Sequence, residues 1–131
     1  MYDEALAHRI LAGADIFLMP SRFEPCGLNQ MYSLRYGTVP VVAAVGGLAD
    51  SVVDAGERGI ADNTTTGFSV RESSVTAFSA AARKAIALYP NRLLWQALQR
   101  NGKRQDFSWD RAARAYRGLY DRLLGAQRFS T

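Results

Sequence analysis

The residues of this chain best placed to do chemistry stand in one short run, Pro20-Ser21-Arg22-Phe23-Glu24-Pro25-Cys26-Gly27-Leu28-Asn29-Gln30. It brings a carboxylate (Glu24), a thiol (Cys26) and a glycine (Gly27) directly before a stretch with helical spacing. A helix N-terminus presents unpaired N–H groups and a partial positive charge, which suits a phosphate or a sugar hydroxyl. Gly27 has no Cβ and lets the backbone approach a ligand closely. The chemistry these residue types support is capture of an anion or polar ligand where a strand passes into a helix. A blander reading of the same run stays open: Glu24 pairs with Arg22, and Gly27 eases a turn. Cys26, the only cysteine, is read as a small loop residue rather than a nucleophile.

Positioning such a loop requires strands and helices in alternation, and the sequence offers them. Residues 4–12 have helical spacing, with Leu6, Ile10 and Leu11 on one side and Gly13 as a stop. Asp15-Ile16-Phe17-Leu18-Met19 is a short apolar run closed by Pro20, the pattern of a strand buried on both faces of a parallel sheet. Helical spacing returns over 27–36 through Leu28, Met31 and Leu34, and Gly37-Thr38 ends it. Residues 39–43 form a second buried strand, with Pro40 tolerated near its start. Gly46-Gly47 turns into a short helix over 48–54, and a polar loop leads to a weak third strand at 67–70.

The rest is helical. Ser73 or Ser74 caps a helix running to Tyr89, with Val75, Phe78, Ile86 and Tyr89 on one face. Pro90 ends it, and Asn91 restarts a helix through Leu94 and Leu98. Ser108 caps a last helix with Trp109, Tyr116, Tyr120 and Leu123 directed inward. His8 is read as structural, facing the following strand, and Arg22 as a buried partner of a loop carboxylate or carbonyl, with a phosphate ligand as the other reading. Strands and helices in this order with short loops predict an α/β fold, a partial Rossmann-like parallel sheet followed by C-terminal helices. In such sheets ligands bind beyond the carboxyl ends of the strands, where the Glu24 loop falls.

Composition narrows the function class. With 131 residues, 48% of them hydrophobic, the chain suffices for one packed core. It contains no run of 18 or more apolar residues, so no membrane span is expected. A lone cysteine allows no internal disulfide and points to a reducing, cytoplasmic setting. The net charge of +4 is uneven: five basic residues against nine acids precede Arg83, and eleven against three follow from it. Those later cations lie on amphipathic helices mixed with Ala and Leu, and aromatic–basic interleaving on a strand surface is lacking, so they read as a solvated face and not as a nucleic-acid surface.

Beyond what these patterns yield, the chain resembles the bacterial glycogen and plant starch synthases. The resemblance is carried by Tyr2-Asp3-Glu4, Ala7-His8-Arg9-Ile10, Ala12-Gly13-Ala14-Asp15, the run from Pro20 to Leu28, Gln30, Tyr36-Gly37, Pro40 and Gly46-Gly47-Leu48-Ala49-Asp50. It extends to Ser108-Trp109 and the last helix. Related nucleotide-sugar transferases carry a second glutamate eight positions after the first; here that position is Tyr32, which fits the glycogen-synthase branch. The resemblance implies the latter half of the C-terminal domain of a GT-B glycosyltransferase. Residues 1–131 would be a C-terminal segment of the nucleotide-sugar-binding domain, with the N-terminal domain and the first half of this domain absent. It implies transfer of glucose from ADP-glucose to the non-reducing end of an α-1,4-glucan with retention, without a metal or other cofactor.

The same resemblance implies site roles. Glu24 would be the catalytic glutamate beside the transferring glucose. Cys26 and Gly27 would bring main-chain N–H groups to glucose hydroxyls, and Leu28 and Asn29 theirs to the ADP phosphates. Tyr2 would stack on adenine, and Gly46 and Gly47 would make a second close backbone approach near the sugar-phosphate. Departures exist: Asn29 stands where threonine is usual, and Ala43-Ala44-Val45 where the family commonly has arginine and threonine. The Lys-x-Gly-Gly loop and the Arg and Lys pair of the family do not occur here, so the chain holds one wall of the nucleotide site. The alternative function is a stand-alone module that binds glucan or a partner without catalysis. A sheet lacking its first strands would also expose the edge of the first strand to self-association.

Overall fold

A computed structural model describes residues 3–56, 59–60 and 62–127. Helix α1 (Glu4–Gly13) starts at Asp3, whose side chain accepts from the Leu6 amide, and Glu4 in its first turn complements the positive end of the helix. Strand β1 (Ile16–Met19), helix α2 (Asn29–Tyr36), strand β2 (Val39–Ala43), helix α3 (Gly47–Ser51) and strand β3 (Phe68–Val70) follow. Helices α4 (Val75–Leu88), α5 (Arg92–Lys103) and α6 (Trp109–Gln127) complete the chain. The sheet is three-stranded and parallel in the order β1-β2-β3, as the alternating pattern predicts.

Central β2 organises the core, because side chains alternate across it. Val39 and Val41 join Phe68, Ala55, Ala85, Trp95 and Leu98 on one face, while Val42 joins Leu48 and Val52 on the other. Pro40 fits this central strand for a definable reason. Val39 donates its amide to Asp15 O toward β1, so the N–H that Pro40 lacks would face β3, whose register begins one residue later at Val41↔Phe68. Gly37, at φ 87, ends α2 in the left-handed region, and buried Thr38 fastens the turn by sharing its hydroxyl between Leu11 O and Ala14 O. Helix α5 reaches the amino end of β2, where Gln99 Nε2 donates to Gly37 O at 2.8 Å and Gly102 seats against Leu34.

Several expectations are corrected. β1 is not buried on both faces: it is an edge strand among the described residues, with Leu18 51% exposed. Of the α1 stripe only Leu11 is buried; Leu6 and Ile10 face outward. Helix α3 stops at Ser51 because Val52 turns extended (φ −118, ψ 116) and Val53 and Ala55 bond to the backbone of Thr66 and Gly67. Val75 and Ile86 lie on the outer side of α4, whose inner side is Phe78, Ala81, Ala85 and Leu88. In α6, Trp109 (88% exposed), Tyr116, Tyr120 and Leu123 point to solvent and not inward. Periodicity finds the apolar stripe of a helix; it does not supply the surface that would cover it.

Candidate functional site

The register Met19↔Val42 ends β1 and β2 at the same height, so the loops that follow them begin side by side. The first carries Glu24, Cys26 and Gly27; the second carries Gly46 and Gly47. They touch through backbone. A Cβ added to Gly46 would fall 3.0 Å from the Glu24 carbonyl carbon, and one on Gly47 would fall 2.7 Å from the Cys26 Cα. Gly46 also holds φ 47 and Gly27 φ 67, left-handed values that glycine adopts without a steric penalty. The close approach expected of Gly46 and Gly47 is thus made first of all to the backbone of the Glu24 loop.

Helix α2 starts where this loop ends. Leu28 is its N-cap, with no side-chain capping bond, and the first helical bond is Tyr32 N to Leu28 O at 2.9 Å. Among the described residues the amides of Gly27, Leu28, Asn29 and Gln30 donate to no protein acceptor. That row of free donors at the positive end of a helix is what an anionic or hydroxylated ligand needs. Glu24 is half-buried and Cys26 exposed. Glu24, Cys26, Gly27, Leu28, Asn29, Gly46 and Gly47 therefore gather at one place, whereas Tyr2 lies outside the described residues.

Other assignments move. Arg22 is exposed and, among the described residues, bonds to no carboxylate or carbonyl, so neither its pairing with Glu24 nor its expected buried role is found. It lines a cavity of about 240 Å³ with Pro20, Ser21, Ala43 and Glu72, at the carboxyl ends of the strands. His8 does not face the strand; its ring packs at a tilt of 53° against Tyr32 of α2 with centroids 4.8 Å apart and meets the Tyr36 hydroxyl at 3.2 Å. A larger cavity, about 480 Å³, lies between the paired loops and the start of α6, lined by Cys26, Gly47, Asp50, Asp106 and Arg111. There the Ser108 hydroxyl and amide donate to Asp106 and hold its carboxyl below the usual carboxylate range, with Arg114 and Arg111 adding attraction.

Gln30 and Ser51 received no role from the sequence, yet both are buried where the loops join. Gln30 Nε2 lies 3.1 Å from Cys26 O, Gly27 O and Ser51 Oγ. The available signal was position: a polar side chain in the first helical turn, three residues beyond Gly27, can fold back onto the loop carbonyls.

With that geometry established, three comparisons with known proteins bear on it. Residues 2–105 match the family described as glycosyl transferases group 1. The chain is 54% identical over 127 residues to a glycogen synthase of Nitrosomonas eutropha, covering 97% of this chain and 25% of that protein. A glycogen synthase of Thioalkalivibrio sulfidiphilus is 56% identical over 94% of this chain and 26% of its own length. The chain thus spans about a quarter of the length of these curated relatives. Among solved structures, the catalytic domain of starch synthase IV from Arabidopsis thaliana, bound to ADP and acarbose, superposes with a TM-score of 0.80 at 38% identity, over 93% of this chain and 25% of that one. A sucrose-phosphate synthase from Thermosynechococcus elongatus, at 24% identity and TM-score 0.65, shares the fold over 96% of this chain and 29% of that one.

Proposed function

The chain belongs to the glycosyl transferases group 1 family, and from that premise we propose that it is the part of a retaining glucosyltransferase that holds the nucleotide-sugar donor. The donor is ADP-glucose and the acceptor the non-reducing end of an α-1,4-glucan, in a cytoplasmic enzyme that uses no resident cofactor. What supports the reading most is the closure of the Glu24–Gly27 loop onto Gly46 and Gly47 at the start of α2, whose first amides donate to no protein acceptor among the described residues.

In the reaction the bond from the glucose C1 to the ADP oxygen breaks, its electron pair leaving with ADP. A bond forms from C1 to the 4-oxygen of the glucan, whose proton passes to the departing diphosphate. Glu24 holds a glucose hydroxyl and its negative charge stabilises the oxocarbenium-like transition state. The amides of Cys26 and Gly27 serve the glucose hydroxyls; those of Leu28 and Asn29 serve the diphosphate. Tyr2 stacks on the adenine.

The test is transfer from labelled ADP-glucose and labelled UDP-glucose to glycogen by the full-length product of the gene encoding this chain. Transfer from ADP-glucose is expected. A clear preference for UDP-glucose moves the protein to another branch, and glucan binding without transfer from either donor replaces the reading with a non-catalytic module.

A further inference from the structure

Gln30 is wholly buried, 0% exposed, although its side chain ends in an amide. Its Nε2 lies 3.1 Å from three oxygens, the carbonyls of Cys26 and Gly27 and the Oγ of Ser51, which share its two hydrogens. Ser51 passes its own hydroxyl hydrogen to Gly47 O at 2.6 Å. The bonds therefore run from the Glu24 loop through Gln30 and Ser51 to the second glycine loop. Gln30 Oε1, equally buried, meets no hydrogen-bond donor among the described residues. An unpaired buried carbonyl carries a desolvation cost, so this side chain is not the most stable filling for its space. What it does gain is control of the backbone.

In a trans peptide the carbonyl and the following N–H point in opposite directions, and no cis peptide occurs among the described residues. Turning the Cys26 and Gly27 carbonyls inward to Gln30 therefore turns the Gly27 and Leu28 amides outward. Those amides donate to no protein acceptor among the described residues. Donors fixed in place beforehand need no reorganisation when charge develops near them.

We propose that Gln30 is a positioning residue of the transfer site, clamping the Cys26 and Gly27 carbonyls so that the Gly27 and Leu28 amides face the sugar and diphosphate of the donor. The proposal rests on the function given above and names a residue to which that function assigned nothing. Gly27 is shaped to match: a Cβ there would fall 2.5 Å from Gln30 Oε1 and 3.1 Å from its amide carbon and nitrogen, so a side chain at position 27 would push the Gln30 amide out of its clamping place.

The experiment compares wild type and Gln30→Leu in the full-length gene product. Loss of preset donors lowers kcat roughly 100-fold and raises KM for ADP-glucose about tenfold, with KM for glucan unchanged. Mere loss of folded protein would lower the number of active sites without moving KM for the donor. Wild-type kcat and donor KM in a folded Gln30→Leu enzyme overturn the proposal. If that variant does not fold, Ser51→Ala removes only the anchor on α3; it should move both constants the same way by about three- to tenfold, and wild-type values overturn the proposal. Should the wild-type enzyme transfer no glucose, the proposed function fails separately. The crystal structure of Gln30→Leu then decides: outward-turned carbonyls at Cys26 and Gly27 support the clamp, and unchanged ones overturn it.

Discussion

Gly47 lies so close to Cys26 that a Cβ added to it would fall 2.7 Å from the Cys26 Cα and 2.8 Å from its carbonyl carbon. Both of those atoms are backbone, and neither can rotate away. The glycine is required by the meeting of the loops that follow β1 and β2, whatever ligand binds above them.

Gly47→Ala should therefore cost stability of about 1–3 kcal/mol, the range for overpacking a fixed site. It should also displace the Glu24 loop, so transfer by the full-length enzyme falls more than stability does. Thermal melting together with initial rates checks this. Wild-type melting and rate would mean that the loops part easily.

Glu24→Gln keeps the size of the side chain and removes its charge. Because that charge matters most in the transition state, glucosyl transfer should fall by about a thousandfold or more while donor binding changes little. Steady-state rates and a direct ADP-glucose titration separate these effects. A variant within tenfold of wild type would remove Glu24 from the catalytic role.

The edge of β1 gives a prediction for residues 1–131 alone. Among the described residues no strand pairs with its outer side, and Leu18 on one face of the strand is 51% exposed. An apolar edge of this kind invites pairing with another chain. Light scattering should show association that Leu18→Lys reduces, and a labelled ADP-glucose assay should show no transfer. A monomeric, active preparation would contradict both expectations.

Asp106 sets a pH dependence at the start of α6. Its carboxyl is held below the usual range by donation from Ser108, then by Arg114 and Arg111. A lowered folded-state pKa means that the ionised form stabilises the fold. The contribution is complete above the ordinary carboxylate value of about 4 and is lost as pH falls through the depressed one. Amide resonances of Ser108 and Arg111 followed on acidification should report loosening below pH about 4 that Asp106→Asn abolishes.

Much of the fold was legible because it is local. The ends of β2 at Val39 and Ala43 and the caps at Ser74 and Asn91 follow from apolar runs, turn residues and side chains that reach backbone a few positions away. The spacing predicts too long a third helix because Val52 and Val53 carry no local stop. What ends α3 is pairing with Thr66 and Gly67, more than ten residues on. The outward apolar residues of α1 and α6 show the same limit, since Ile10 and Trp109 reveal by spacing that a face is apolar and nothing about what meets it.

The sequence by itself determined the α/β alternation, the strand-to-helix loop with Glu24 and Gly27, and the glycine pair at 46 and 47. Residue type and short-range spacing suffice for each. Only the tertiary structure decided that the two loops share one site, that Gly47 lies under Cys26 and that Gln30 is bonded to Ser51. These relationships join residues about twenty positions apart, and they follow from the parallel register Met19↔Val42, which starts both loops at one height. A register depends on how whole strands match across the sheet, which no short stretch of either strand records.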